Sequence, residues 1–468
     1  MLLLAHPYFL RDDAKQLARM QPYPPLATLL CAAVLREQGH EVTLFDAMLA
    51  DDMDAFRAAV AASRPEVVAI VEDSFNYVTK MCTIRLREAT IEMIAAARAR
   101  GCRVLVGGSD ATDHPMRYLD AGADAVLLGE PEATLAEVAA IWRRDPDGSL
   151  LDVAGLALRV ARTEAVHVTA LRGGVRDLDA LPLPAWDLVD AEAYRLAWRR
   201  AHGRSSWNVV TSRGCPYGCN WCAKPVFGRR YSQRSPASVA EELRRLAADV
   251  APDHVWFADD IFGLTRRWIE QFAVEVRARD VRIPFMIQCR ADLISGDVAR
   301  ALAAAGCEEV WMGVESGSQR ILDAMEEGTT VNEVRAATRA LRAHGIRACW
   351  FLQLGYPSEQ WDDVLATRDL VRAERPDDVG VSVAYPLPGT KFHAVVQTEL
   401  GVRANWVETG ELAMLFRGTY TTAFYRRLRD ALHAETRDGA DEELWFTLAE
   451  EQDAHRTSRS GIVAELGD

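Results

Sequence analysis

Short apolar runs alternate with amphipathic stretches along most of the chain, and this alternation constrains the fold more than any other feature. In residues 1–143 the runs are 2–5, 42–45, 67–71, 104–106 and 125–128, and helical patterns cover 25–38, 53–62, 84–100 and 131–142. Strands and helices at this spacing predict a parallel, doubly wound sheet, since parallel neighbours need a crossover that a helix supplies. The first run, Met-Leu-Leu-Leu-Ala, lacks a basic flank and is too short to span a bilayer, so it reads as a buried strand. Ligands of such sheets bind at the carboxyl ends of the strands. Here those ends read His6-Pro7, Asp46, Glu72-Asp73-Ser74, Gly107-Gly108-Ser109-Asp110 and Gly129-Glu130-Pro131-Glu132.

Residues 144–205 read as a connector: a turn cluster at 145–149, a hairpin from 156–160 and 165–169, and an extended stretch at 181–186. A second series of strand–helix units starts at Ser206, with runs 207–211, 255–257, 285–288, 310–314, 349–352 and 381–384. Each leads into a polar set. The first enters the cysteine loop, and the next three enter Asp259-Asp260, Arg290-Ala291-Asp292 and Glu315-Ser316-Gly317-Ser318. The last two precede Gly355-Tyr356-Pro357 and Tyr385-Pro386. Residues 206–395 thus form a further parallel α/β domain, and 396–468 a helical, partly acidic tail that would cover its open side and fray over the last dozen residues.

Three thiols in the loop Cys215-Pro-Tyr-Gly-Cys219-Asn-Trp-Cys222 are spaced C-x3-C-x2-C, one short of the four that a closed zinc or iron–sulfur site takes. A zinc knuckle would want a fourth ligand just downstream, and His202, the nearest histidine, lies upstream. Three cysteines around a [4Fe–4S] cluster leave one iron open for chemistry. Of the nine cysteines, the other six (Cys31, Cys82, Cys102, Cys289, Cys307, Cys349) sit in apolar surroundings and suit reduced core residues of a cytoplasmic enzyme. The formal charge of −14 argues against a nucleic-acid partner and is compatible with a cationic substrate. Nothing in the sequence implies a membrane partner.

The cysteine loop and the strand-end sets after it resemble the radical S-adenosylmethionine (SAM) superfamily. The resemblance implies a partial (β/α)6 barrel over 206–395, a [4Fe–4S] cluster on Cys215, Cys219 and Cys222, and SAM bound to the open iron and cleaved to a 5′-deoxyadenosyl radical. It implies Trp221 against the adenine, although that ring would equally shield the cluster. Asp259 and Asp260 would hold the SAM amino group, or cap a helix; Gln288, Arg290 and Glu315 would reach the methionine carboxylate and ribose, or pair with each other. Ser316 would let backbone approach the cofactor, or simply turn the chain. Tyr217 and Tyr356 would face substrate or pack.

Residues 1–143 resemble the cobalamin-binding domain that precedes the barrel in one subgroup, through Tyr23-Pro24-Pro25-Leu26, the Gly39, Val42, Asp46 run, Gly107-Gly108 and Gly129-Glu130-Pro131-Glu132-Ala133-Thr134. Bound cobalamin is nevertheless not favoured. A corrin wants small residues, whereas these loops carry Glu72, Asp73, Phe75, Asn76, Tyr77, Asp110, Asp113 and His114, which would fill the slot.

By its length and domain pairing the chain resembles the radical SAM diol dehydratases of aminoglycoside biosynthesis. That implies hydrogen abstraction from a carbinol of a cationic aminosugar, with Tyr217, Asp259 or Glu315 as acid or base. It also implies an electron donor such as flavodoxin and a partner reductase. The alternative is a cobalamin-dependent methyltransferase. An iron–sulfur carrier or sensor would leave the polar strand ends without a purpose.

Overall fold

A computed structural model describes residues 1–76, 83–159, 165–224, 226–400 and 412–457. They fall into two compact units, residues 1–215 with 224–259, and residues 216–223 with those from 260 onward. Tyr77, Cys82, the hairpin tip at 160–164 and the final residues 458–468, all singled out in the sequence, lie outside the described residues.

In the first unit β1 (Leu2–His6), β2 (Val42–Asp46), β3 (Val67–Val71), β4 (Arg103–Gly107) and β5 (Ala125–Leu127) are parallel in the order β2-β1-β3-β4-β5. Every residue of β1 and β3 is buried, as expected of strands covered on both faces. One face packs Phe45, Val68, Ile70, Val104, Val106 and Val126 against Phe56, Val60, Met93 and Ile94 of the helices Met53–Ser63 and Thr83–Arg98. The helix Leu26–Glu37 buries Leu26, Leu29, Leu30, Cys31 and Leu35.

That helix starts behind Pro25, which brings no side-chain cap. Asp73, at the end of β3, accepts hydrogen bonds from Leu26 N and Ala27 N at 3.3 and 3.2 Å. A carboxylate facing a helix N-terminus satisfies orphan donors and the helix dipole together. The connector contributes more than a link, because β6 (Leu156–Arg159) pairs antiparallel with β5 and β7 (Val166–Val168) with β6, extending the sheet to seven strands.

The first unit also contains β8 (Ser206–Val209), the short pair β9 (Ser212–Arg213) and β10 (Ser232–Gln233), and β11 (His254–Phe257), which runs parallel to β8. Polar bonds tie residues 22–24, just before the helix Leu26–Glu37, to β8 and to the helix Ala191–His202 that precedes it. Tyr23 and Ser206 share a hydroxyl contact of 3.1 Å, Asn208 donates to Pro24 O at 2.9 Å, and Trp198 donates to Pro22 O at 2.6 Å. Ser206 also meets the ring of buried His254 at 2.9 Å; burial and then Arg204 hold that ring down to about 3, so it is neutral.

The strands β12 (Phe285–Arg290), β13 (Cys307–Glu315), β14 (Arg347–Leu354) and β15 (Asp378–Val383) complete a six-stranded parallel half-barrel in the order β15-β14-β13-β12-β11-β8. In the second unit the helix Thr422–Asp438 packs along β15, so it covers an edge that would otherwise leave backbone groups unpaired. Phe424, Tyr425, Leu428 and Leu432 of this helix and Trp445 and Leu448 of the next, Glu442–Glu451, are buried. Cys31, Cys102, Cys289, Cys307 and Cys349 are free and buried. Among the described residues no helix is long and apolar enough to cross a membrane.

Arg234, from just after β10, forms an ion pair with Glu242, both almost wholly buried. Arg234→Met leaves the carboxylate alone in the core and is expected to cost about 3–5 kcal/mol, whereas adding Glu242→Leu should recover most of it. Urea unfolding of the three proteins measures this.

Candidate active site

The cysteine loop follows β9. Gly214 turns the chain at φ +75°, and a Cβ there would lie 2.0 Å from Arg230 O, so only glycine lets the two backbones approach. In the second unit Asn220, between two of the cysteines, fastens the middle of the loop. Its N–H and side-chain amide donate to Met325 O and Ala324 O at 2.9 and 2.8 Å, while its carbonyl oxygens accept from Phe392 N and the Tyr356 hydroxyl at 3.0 and 2.9 Å. Tyr356 is thereby committed to holding the loop.

Arg290, the last residue of β12, is buried beside this loop and donates to Asp292 at 2.9 Å and Glu327 at 3.0 Å. Its guanidinium lies 3.9 Å from the centre of the Tyr217 ring, and Nη1 is 3.8 Å from Cys219 Sγ. Trp221 Nε1 donates to the same Glu327 at 3.2 Å, and its ring packs on a cluster including Ile321, Met325 and Phe392. Glu327 thus links the arginine to the tryptophan. It follows no predicted strand, and the sequence reading passed over both it and Asn220.

Burial, and then Glu327, raise the Cys219 thiol above the usual range, with Arg290 opposing. Its proton must therefore leave when a metal binds. Cys222 donates to Ala223 O at 3.6 Å, and among the described residues no three His, Cys, Asp or Glu side chains are gathered as a ligand set. The donor chemistry still fits an iron–sulfur cluster, because the loop offers three thiols and Arg290 sets positive charge beside one of them.

The other expected residues differ in their surroundings. Glu315 ends β13 at φ +59°, buried, with its carboxyl pushed well up by burial and then by Glu327. Gln288 is half-buried, and its backbone carbonyl accepts from Phe262 N at 2.9 Å. Ser316 is wholly buried and its hydroxyl is spent on Ser318 N and Thr367. Asp260 is exposed. Asp259, in the first unit, accepts from the N–H and hydroxyl groups of Thr211 and Ser212, all on Oδ1, while Oδ2 is buried without a partner.

At the ends of β4 and β5, Gly107, Gly108 and Gly129 form a cradle of bare backbone. Thr112 ties it together by donating to Gly108 O at 2.8 Å and accepting from Gly129 N at 3.2 Å. The Glu72 side chain lies in this cradle, since a Cβ on Gly108 would sit 2.3 Å from its Oε2, and Ser109 donates to Glu72 at 2.9 Å. Burial, then Asp110, raise Glu72 to about 7, so its carboxyl is easily neutral. Asp110 is taken by Arg87 and Tyr118. Glu130 and Glu132 clamp the buried Arg213, whose guanidinium is 5.5 and 5.6 Å from the Phe75 and Phe227 rings. The small residues of the cradle fit the tail of a corrin cofactor provided Glu72 turns outward, a rotation that a neutral side chain makes without exposing or burying charge.

Residues 209–371 match the radical SAM superfamily and residues 18–139 the B12 binding domain. An uncharacterized methyltransferase of Pyrococcus horikoshii is 27% identical over 82% of this chain and 81% of its own length. An anaerobic magnesium-protoporphyrin IX monomethyl ester cyclase of Synechocystis is 27% identical over 80% and 72%. The fold is shared with the radical SAM methyltransferase TsrM of Kitasatospora setae (22% identity, 86% and 77% covered, TM-score 0.70). It is shared also with the cobalamin-dependent SAM radical enzyme OxsB (16% identity, 97% and 70% covered, TM-score 0.72).

Two outcomes are expected. Replacing Cys215, Cys219 and Cys222 together by Ala abolishes the iron–sulfur absorbance and reductive SAM cleavage, read as 5′-deoxyadenosine. Burial raises Asp259 to about 7, against about 3.9 in an unfolded chain, so the folded state holds the extra proton between these values and its stability falls as pH rises from about 4 to about 7. Asp259→Asn keeps the Oδ1 acceptor and removes up to about 1.4 kcal/mol per pH unit of that slope. Thermal unfolding across this window checks it.

Proposed function

We propose that this chain, which joins a B12-binding domain to a radical SAM domain, is a cobalamin-dependent methyltransferase acting on a small molecule. The observation that carries this reading is the likeness to the Pyrococcus horikoshii methyltransferase, which covers 82% of this chain and 81% of that one and so spans both domains. The glycine cradle supports it, against the expectation from loop bulk that the N-terminal sheet takes no cobalamin. The diol-dehydratase expectation has no counterpart among the relatives described above.

Bound together, the cluster, SAM and cobalamin would supply a reducing electron and a transferable methyl group. Cys215, Cys219 and Cys222 would hold the cluster, and the backbone at Gly107, Gly108 and Gly129 with the Ser109 hydroxyl would hold the corrin tail. Arg290, fixed by Asp292 and Glu327, keeps a positive charge next to Cys219. Trp221 is tied to the same Glu327 and packs beside Ile321, Met325 and Phe392. Exposed Asp260 is better placed to reach a ligand than Asp259, whose hydrogen-bonded oxygen is committed to Thr211 and Ser212. Gln288 and Glu315 would line the SAM site from the ends of β12 and β13, whereas Ser316 would shape it through backbone alone. An external one-electron donor is a necessary partner.

Anaerobic reconstitution with iron, sulfide and hydroxocobalamin, followed by desalting, is expected to leave one corrin per chain, and turnover to release S-adenosylhomocysteine. A preparation that keeps no corrin and yields only 5′-deoxyadenosine would return the reading to hydrogen abstraction. Glu72→Ala, by emptying the cradle, is expected to tighten corrin retention several-fold in the same absorbance assay, with iron content unchanged.

A further inference from the structure

A cavity of about 440 Å³ opens within the first unit, lined by Glu130, Arg213, residues 174–176, and Phe227 with residues 230–232. That volume lies in the range of small-molecule sites. Its walls are held in place. Arg172 anchors the 172–176 loop by donating to Thr134 at 2.8 Å and pairing with Glu137, while Val175 N donates to Glu130 at 3.2 Å. A Cβ on Gly174 would meet Glu130 Oε1 at 2.3 Å, so the loop lies directly against that carboxylate. Across the cavity Phe227 stacks on Phe75, with ring centres 5.0 Å apart and planes 25° from parallel.

The charges around it do not balance. Glu130 is the one acid among the lining residues, and Arg213 and Val175 already use it. Arg213 is itself paired with both Glu130 and Glu132. Arg176 and Arg230 remain, and among the described residues neither makes an ion pair. Two uncompensated guanidiniums at one cavity are notable in a chain of net charge −14, where acidic partners are plentiful. Guanidiniums take carboxylates and phosphates in forked pairs, and an aromatic wall takes a planar or apolar body.

We infer that this cavity binds an organic anion, through a carboxylate or phosphate held by Arg176 and Arg230 and an apolar portion against Phe227, and that the anion belongs to the substrate. Its belonging to the substrate rests on the methyltransferase reading; anion binding itself does not. This reverses the charge expected of the substrate from composition.

Phenyl phosphate carries both features and serves as the probe, titrated calorimetrically into the whole chain reconstituted with iron and sulfide but without cobalamin. Saturable binding is expected that weakens as salt rises from about 50 to about 200 mM, and that weakens about ten-fold or more in Arg176→Gln/Arg230→Gln. Both side chains are exposed, so iron content and thermal midpoint should match the parent, which separates lost binding from lost folding. Equal affinity in parent and variant, or no saturable binding in the parent, overturns the anion site. Displacement of the probe by loading with hydroxocobalamin would give the site to the phosphodiester of that cofactor and overturn the substrate assignment. Binding is read without turnover, so loss of the methyltransferase reading would leave the anion result standing.

Discussion

The buried guanidinium of Arg290 is the constraint on which the second unit's polar centre depends. A cation withdrawn from water costs several kcal/mol unless its donors are met, and four groups meet this one: Asp292, Glu327, the Tyr217 face and Cys219. Satisfying one arginine therefore places a ring, a thiol and, through Glu327, the Trp221 indole. Asn220 supplies the complementary restraint, fixing backbone where Arg290 fixes side chains. A loop without regular structure is in this way held at the end of β12, where catalytic groups of such half-barrels converge. Arg213 does the same work in the first unit, clamped by Glu130 and Glu132.

The strands were legible because burial is periodic in sequence. Their cores were found to within a few residues, and β12 to β14 run further than the apolar runs, since ladder bonds continue where side chains turn polar. The thiol spacing was legible because donor type and spacing sit in one short segment. Pair partners were not. Arg213 meets acids 81 and 83 residues away, and Tyr356 reaches Asn220 across 136. Residues such as Asp73 and Glu130, placed correctly at strand ends, therefore looked free for ligands when they are engaged with the protein itself. Asn220 did leave a signal, a carboxamide between two candidate ligands, where a small flexible residue would be the default.

On the cobalamin reading proposed above, loop bulk misleads about the N-terminal sheet for a related reason. Composition counts side chains but not their rotamers, and the volume of Glu72 matters only while it points into the cradle of Gly107, Gly108 and Gly129. Charge averaged over the chain has the same weakness. A net −14 describes the far field, which steers encounters, but binding is decided at contact, where Arg176 and Arg230 stand without acids.

Besides Glu315 at the end of β13, the buried carboxyls Glu72, Asp259 and Glu359 have strongly raised pKa values and follow β3, β11 and β14 respectively, each beyond the carboxyl end of its strand. In each of these three the dominant cause is burial, and each is held to about 7 or 8 by hydrogen bonds that favour the charged form. A core needs no such groups: leucine or methionine at these positions would remove the desolvation cost and the pH dependence together. Their recurrence at the ends where parallel sheets bind ligands is the pattern of a protein that gives up stability to keep polar groups near its chemistry. The two units then share one organising rule, in which apolar strands set the scaffold and their last residues and the loops after them carry acids and arginines whose partners come from distant segments.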